Sequence, residues 1–289
     1  YDNQFTGDIP ECFFDLPFHT LFLGDNQFSG HISESICDMM ESNQWFSDYT
    51  IDDNQFCPPY PDCINELEIG TQDTSNCLAC PSGEIELWGE CYNIATTTVL
   101  DLYDPYYYYY YEPLGPIPPE IGQLVNLTRL NLSHLMLSGE IPPEIGNLVH
   151  LESLNLESND LSGGIPPEIG QLTNLDTLKL AYNDLSGLIP AEIGALTNLI
   201  YFRLNSNEIS GDIPSEIGNL INLTDLELTS NQITSIPESI GNLDNLFNLN
   251  LGGNQLTALP NTIGDLESLG NIILSNNQLT EFPLELINV

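Results

Sequence analysis

A two-residue signature constrains this chain more than any other feature. An aliphatic or aromatic residue followed by proline recurs at Ile117, Ile141, Ile165, Ile189, Ile213, Ile236, Leu259 and Phe282, spaced by 24, 24, 24, 24, 23, 23 and 23 residues. Within a period the order is constant, as in Leu151-Glu-Ser-Leu154-Asn-Leu156-Glu-Ser-Asn159-Asp-Leu161-Ser-Gly163-Gly-Ile165-Pro166. A fixed period of this length marks a stack of small supersecondary units. The alternation of Leu154 and Leu156 predicts a short strand with both leucines inward and Ser153, Asn155 and Glu157 outward. Successive turns pair these strands into a parallel sheet. The following Ile-Pro-Pro-Glu-Ile-Gly predicts a short helical turn, because proline at an early helical position forfeits no hydrogen bond. One turn alone buries too little apolar surface to offset the ordering of its backbone, so neighbours are obligatory.

This pattern resembles the leucine-rich-repeat family, and its Leu-Ser-Gly-x-Ile-Pro segment resembles the plant-type subclass. The resemblance covers residues 100–289 and returns at 1–56, over ten turns in all. It implies an α/β leucine-rich-repeat solenoid, with the parallel sheet on the concave face and short helical turns on the convex side. Asn159, Asn183, Asn207, Asn231, Asn254 and Asn277 hold the turning position of successive repeats. Their amides can bond the backbone of neighbouring turns, which predicts an asparagine ladder. The last three turns drop the Gly of Ser-Gly (Thr234-Ser-Ile236, Thr257-Ala-Leu259, Thr280-Glu-Phe282), so the convex edge should pack differently after about residue 230. By resemblance, a concave face of this type binds peptides, proteins or wall polysaccharides.

Residues 57–99 break the repeat and hold five of the seven cysteines, Cys57, Cys63, Cys77, Cys80 and Cys91, while Cys12 and Cys37 sit in the two preceding turns. A zinc site at Cys77-x-x-Cys80 would need four ligands, and no histidine lies nearby. Disulfides are expected instead, which places the chain outside the cytosol. Cys57 with Cys63 is the expected pair, closing a short proline-rich loop, and the odd count leaves one thiol free or paired outside the chain. The segment reads as a C-terminal cap followed by an N-terminal cap. The organisation is then 1–56, the last turns of one array; 57–99, a double cap; and 100–289, a second array open at its C-terminal end. Open solenoid ends expose leucines and a sheet edge. The leading expectation is therefore a non-enzymatic structural or adhesive protein whose units join head to tail into a fibre. The alternative is a recognition ectodomain that presents its concave face to an extracellular protein or glycan.

Charge narrows the partners. With 42 acidic and three basic side chains the formal net charge is −39, which excludes a phosphate-backbone binder and disfavours anionic membranes. A hydrophobic content of 41% argues against a disordered acidic chain. No apolar run approaches the roughly 18 residues of a membrane-spanning helix. The three bases, Arg129, Lys179 and Arg203, all fall at outward strand positions. Lys179 and Arg203 share a column in adjacent turns, with Tyr201 beside Arg203. They form either an anion- or glycan-contacting patch or pair with Glu157, Asp225 and Glu227 to relieve repulsion.

Glu120, Glu144, Glu168, Glu192 and Glu216 stack on consecutive turns, about 5 Å apart. Each is favoured by the dipole of its helical turn, and no Asp-x-Asp-x-Asp-Gly loop supports calcium. Such a column needs counterions, so a saline or cation-rich setting is expected. Tyr106, Tyr107, Tyr108, Tyr109, Tyr110 and Tyr111 form an insertion in the first turn of the second array. They offer either an assembly or adhesion surface or a loop that shields that turn. N-glycosylation sequons begin at Asn126, Asn131 and Asn222. Asn126 and Asn222 occupy equivalent repeat positions, so glycans there would decorate one edge. His19, His31, His134 and His150 form no metal spacing, and no phosphate loop or nucleophile elbow is present. No enzyme, metal or cofactor is expected.

Overall fold

The computed structural model describes residues 4–7, 9–10, 13, 16, 18, 20–33, 35–42, 48–57, 60–61, 63–64, 72, 80–81, 83–103 and 113–281. The chain divides into two compact units, Tyr1–Cys91 and Tyr92–Val289.

In the second unit the predicted register appears directly. Eight parallel strands run in the order Val99–Asp101, Arg129–Asn131, Ser153–Asn155, Thr177–Lys179, Tyr201–Arg203, Asp225–Glu227, Asn248–Asn250 and Asn271–Ile273. Leu130, Leu154, Leu178, Phe202 and Leu226 form one inward column and are fully buried. On the convex side each period makes one five-residue 3-10 turn, from Pro119–Gln123 to Asn261–Asp265. Extended Pro118, Pro142, Pro166, Pro190, Pro214, Pro237 and Pro260 lead into these turns.

A second parallel sheet runs through Gly115–Pro116, Leu137–Glu140, Asp160–Gly163, Asp184–Gly187, Glu208–Asp212 and Gln232–Ser235. Its Gly139, Gly163, Gly187 and Gly211 sit at φ of +75° to +80°, a region where a side chain is strained. The shorter turns lack this glycine. The register slips between Gly211 and Asp212, and the sheet ends at Ser235. The convex edge thus changes where the 24-residue period becomes 23.

The asparagine ladder is complete from Asn159 to Asn277. Asn183 shows the pattern: Nδ2 donates to Leu156 O (3.0 Å) one turn back and to Leu180 O (3.2 Å), while Oδ1 accepts from Leu161 N (3.1 Å). Asn207, Asn231, Asn254 and Asn277 repeat these bonds. In the turn where Leu135 replaces the asparagine, Asn159 Oδ1 accepts from both Leu135 N and Leu137 N at 3.0 Å.

In the first unit, strands Thr6–Gly7, Gln27–His31 and Gln55–Cys57 pair in parallel, as do Thr20–Phe22 and Asp48–Thr50. The rings of Phe5, Phe28 and Phe56 stack at centroid spacings of 5.8 and 6.2 Å. Asn54 makes the ladder bonds to Leu23 O and from Phe28 N. Gln72 continues them one turn further, donating to Ile51 O (2.8 Å) and accepting from Phe56 N (3.1 Å).

One sequence expectation fails here. Cys63 is bonded to Cys37, not to Cys57. Cys37 lies on the α-helix Ser35–Ser42, whose Ile36 and Met39 pack with Phe56 and Ile64. That shared core brings the Cα atoms of Cys37 and Cys63 to 5.6 Å. Core packing, rather than closeness in sequence, selects the partner. Cys80 pairs with Cys91, so Cys80 is unavailable to a zinc ion. Cys12, Cys77, the Cys57 side chain, Tyr106 to Tyr111 and residues 282–289 lie outside the described residues.

Candidate functional site

The outward residues of the main sheet in the second unit fall into strict columns. One runs Val99, Arg129, Ser153, Thr177, Tyr201, Asp225, Asn248, Asn271. The next runs Asp101, Asn131, Asn155, Lys179, Arg203, Glu227, Asn250, Ile273. Lys179 and Arg203 are direct strand partners, in a sheet whose strands lie about 4.8 Å apart. Two like charges in that arrangement repel.

The three bases do not share one fate. Arg129 approaches Asp101 at 3.9 Å and is 59% exposed, a solvated contact worth little. Lys179 and Arg203 form no ion pair among the described residues. Asp225, which faces Tyr201, is engaged by neutral donors, Thr224 Oγ1 (2.6 Å) and Asn248 Nδ2. Pairing of Lys179 and Arg203 with Glu157, Asp225 or Glu227 is therefore not what the structure shows.

Beside them, Arg203 Nε and, one turn on, Thr229 Oγ1 are shielded from solvent with no hydrogen-bond partner. An unpaired donor in a shielded place is costly. Tyr201, 42% exposed, borders the same patch. The face thus offers two adjacent cations and a phenol. Together these can hold an anionic group and stack on a flat or sugar-like one.

The other predicted residues separate by position. The Glu120 column lies on the convex 3-10 turns, away from this patch. Among the described residues no three His, Cys, Asp or Glu side chains converge to hold a metal. No helix is long and apolar enough to cross a membrane. Asn131 sits in the concave sheet, whereas Asn126 and Asn222 sit on the edge where the chain enters a strand.

That edge carries a second amide ladder that sequence reasoning missed. Asn174, Asn198, Asn222 and Asn245 donate from Nδ2 to Val149 O, Thr173 O, Thr197 O and Ile221 O at 2.8 to 2.9 Å. Its signal was present, as asparagine before the first leucine of most periods, with His150 and Ser268 the departures.

A leucine-rich repeat region model matches residues 183–288, and a leucine rich repeat model matches 126–148 and 150–172. No curated protein matches the sequence. Among solved structures, a TDR receptor is 28% identical with a TM-score of 0.59, over 97% of this chain and 42% of that one. The Arabidopsis receptor kinase HAESA, in complex with the peptide hormone IDA and the co-receptor SERK1, is 26% identical with a TM-score of 0.58, over 98% and 45%. A plant ice-binding protein is 37% identical with a TM-score of 0.51, over 56% and 53%. The chain spans less than half the length of either receptor. With its repeat register, ladder and parallel sheet, the chain belongs to the leucine-rich-repeat family and carries repeats of the plant type.

Proposed function

We propose that this chain is an extracellular, non-enzymatic recognition module that binds a protein, peptide or glycan on the concave face of its second unit. One observation carries the reading: in a chain with only three bases, two stand side by side on that face with no ion pair among the described residues. An anionic group of a ligand relieves their repulsion. The receptors it resembles include one solved with a peptide hormone. The disulfides Cys37–Cys63 and Cys80–Cys91 fit an oxidising compartment. The head-to-tail fibre has no such support, since none of the neighbours named is a filament.

The test is a screen of the full chain against arrays of acidic peptides and acidic oligosaccharides. A retained ligand is expected to bind at least about tenfold more weakly to the Lys179→Glu/Arg203→Glu variant, a change of about 1.4 kcal/mol. It should bind unchanged to Glu192→Gln on the convex side. Retained ligands that ignore the double charge reversal would sink the concave-face reading.

A second reading rests on the ice-binding neighbour, whose 37% identity exceeds that of both receptors. It is supported by polar side chains repeated at strand spacing along the edge ladder. Its test is the gap between freezing and melting points of an ice crystal in solution with the protein. A gap above that of a charge-matched control is expected, and no gap removes the reading.

A further inference from the structure

The three sequons, alike in sequence, occupy different surroundings. Asn222 is exposed, and its Nδ2 donates one hydrogen bond to Thr197 O at 2.8 Å. Asn126, half-buried, donates in the same sense to Ala95 O at 3.1 Å and, at the longer distance of 3.4 Å, to Ile94 O. An amide nitrogen carries two hydrogens, so at Asn222 the edge-ladder bond occupies one and leaves the other, while at Asn126 a sugar displaces only the longer contact to Ile94 O. Asn131 is 9% exposed within the concave sheet. Its Nδ2 donates to Asp101 Oδ1 at 2.9 Å, and its Oδ1 accepts from Ser133 N and from Ser133 Oγ at 2.8 Å. The sequon hydroxyl of Ser133 is itself buried in that contact.

We infer that Asn126 and Asn222 carry N-linked glycans in the secreted protein, that Asn131 stays bare, and that the edge ladder is the glycosylatable register of this solenoid. The inference rests on the extracellular reading above. In the covalent step, Nδ2 loses one proton and bonds the anomeric carbon of a lipid-linked oligosaccharide, which departs as the lipid pyrophosphate. The remaining N–H serves the ladder bond, so the turn still closes. Asn131 differs by burial rather than by its hydrogen count, at 9% exposed with its sequon hydroxyl buried as well. A sugar there stands where neighbouring strands pack, so molecules modified there before folding do not complete the array. The two glycans sit four turns apart on one lateral edge, and the patch at Lys179, Tyr201 and Arg203 stays uncovered.

The test expresses the full chain behind a secretory leader in a glycosylating eukaryotic cell and maps glycopeptides of the secreted protein by mass spectrometry. Sugar is expected on Asn126 and Asn222, with one glycan lost in each of Asn126→Gln and Asn222→Gln and none lost in Ser133→Ala. Asp176→Thr creates a sequon at Asn174, which holds the same ladder position, and should add a third glycan. Sugar on Asn131 of the secreted protein, a bare Asn222 or Asn126, or an unmodified Asn174 in Asp176→Thr overturns the inference. Because the leader supplies the route, these results do not depend on where the native protein resides. Immunodetection of the native protein inside or outside its cells tests the extracellular reading by itself.

Discussion

Asn183→Ala is expected to destabilise the second unit by on the order of 3 kcal/mol, because each buried polar group left without a partner costs about 1–3 kcal/mol. The side chain is 7% exposed and ties Leu156 O, Leu180 O and Leu161 N, which belong to two different turns. Alanine returns none of these bonds, and the surrounding leucines leave little room for water. At about 2–4 °C per kcal/mol for a domain of this size, the melting temperature should fall by roughly 10 °C. Asn174→Ala is the comparison. It removes one exposed bond, to Val149 O, and should cost no more than about 1 kcal/mol. Equal losses in the two variants would mean that burial of the inner ladder does not set its strength.

Gly170→Ala carries the second large effect. A Cβ at this position would lie 2.6 Å from Glu192 O and 2.8 Å from Glu192 Cβ, both fixed parts of the next turn. Gly122, Gly146, Gly194, Gly218 and Gly241 meet the following turn in the same way. The glycine of each Ile-Gly therefore sets how closely convex turns stack. Adding a methyl group forces the turns apart, with an overpacking cost of about 1–3 kcal/mol. Gly164→Ala is the control, because its nearest neighbour, Ser186 O, is 3.8 Å away. Thermal denaturation should separate the two by several degrees, and a Gly170→Ala protein as stable as Gly164→Ala would contradict the packing argument.

What could be read from the sequence follows from the period. Counting residues from one Ile-Pro to the next placed the leucines of the core, the outward columns and the inner ladder, because a register repeated in every turn leaves no freedom. The neighbourhood of Lys179 and Arg203 was legible for the same reason, since both lie at one repeat position. Their lack of ion pairs was not, because side-chain reach depends on what occupies each carboxylate, as Thr224 and Asn248 do at Asp225. The Cys37–Cys63 bond was hidden because it joins a helix to a segment outside the repeat, where counting has no purchase. Gln72 was hidden likewise, as a longer amide standing in for asparagine in an aperiodic stretch. The outer ladder was open to the same counting and was passed over as two sequons.

The constant register of the main sheet also sets a metric for whatever lies along it. Strands succeed one another about every 4.8 Å, while an extended chain rises about 3.3 Å per residue. Three residues of such a chain span about 9.9 Å against about 9.6 Å for two turns. The two scales act as a vernier, returning to phase at every third ligand residue and every second turn. Alternate residues of an extended chain face opposite ways, so three residues on from one anchored at Lys179 or Arg203 the side chain turns away from the sheet at Asn131 or Asn250, and one face of the ligand meets the columns in phase only at about every sixth residue and every fourth turn.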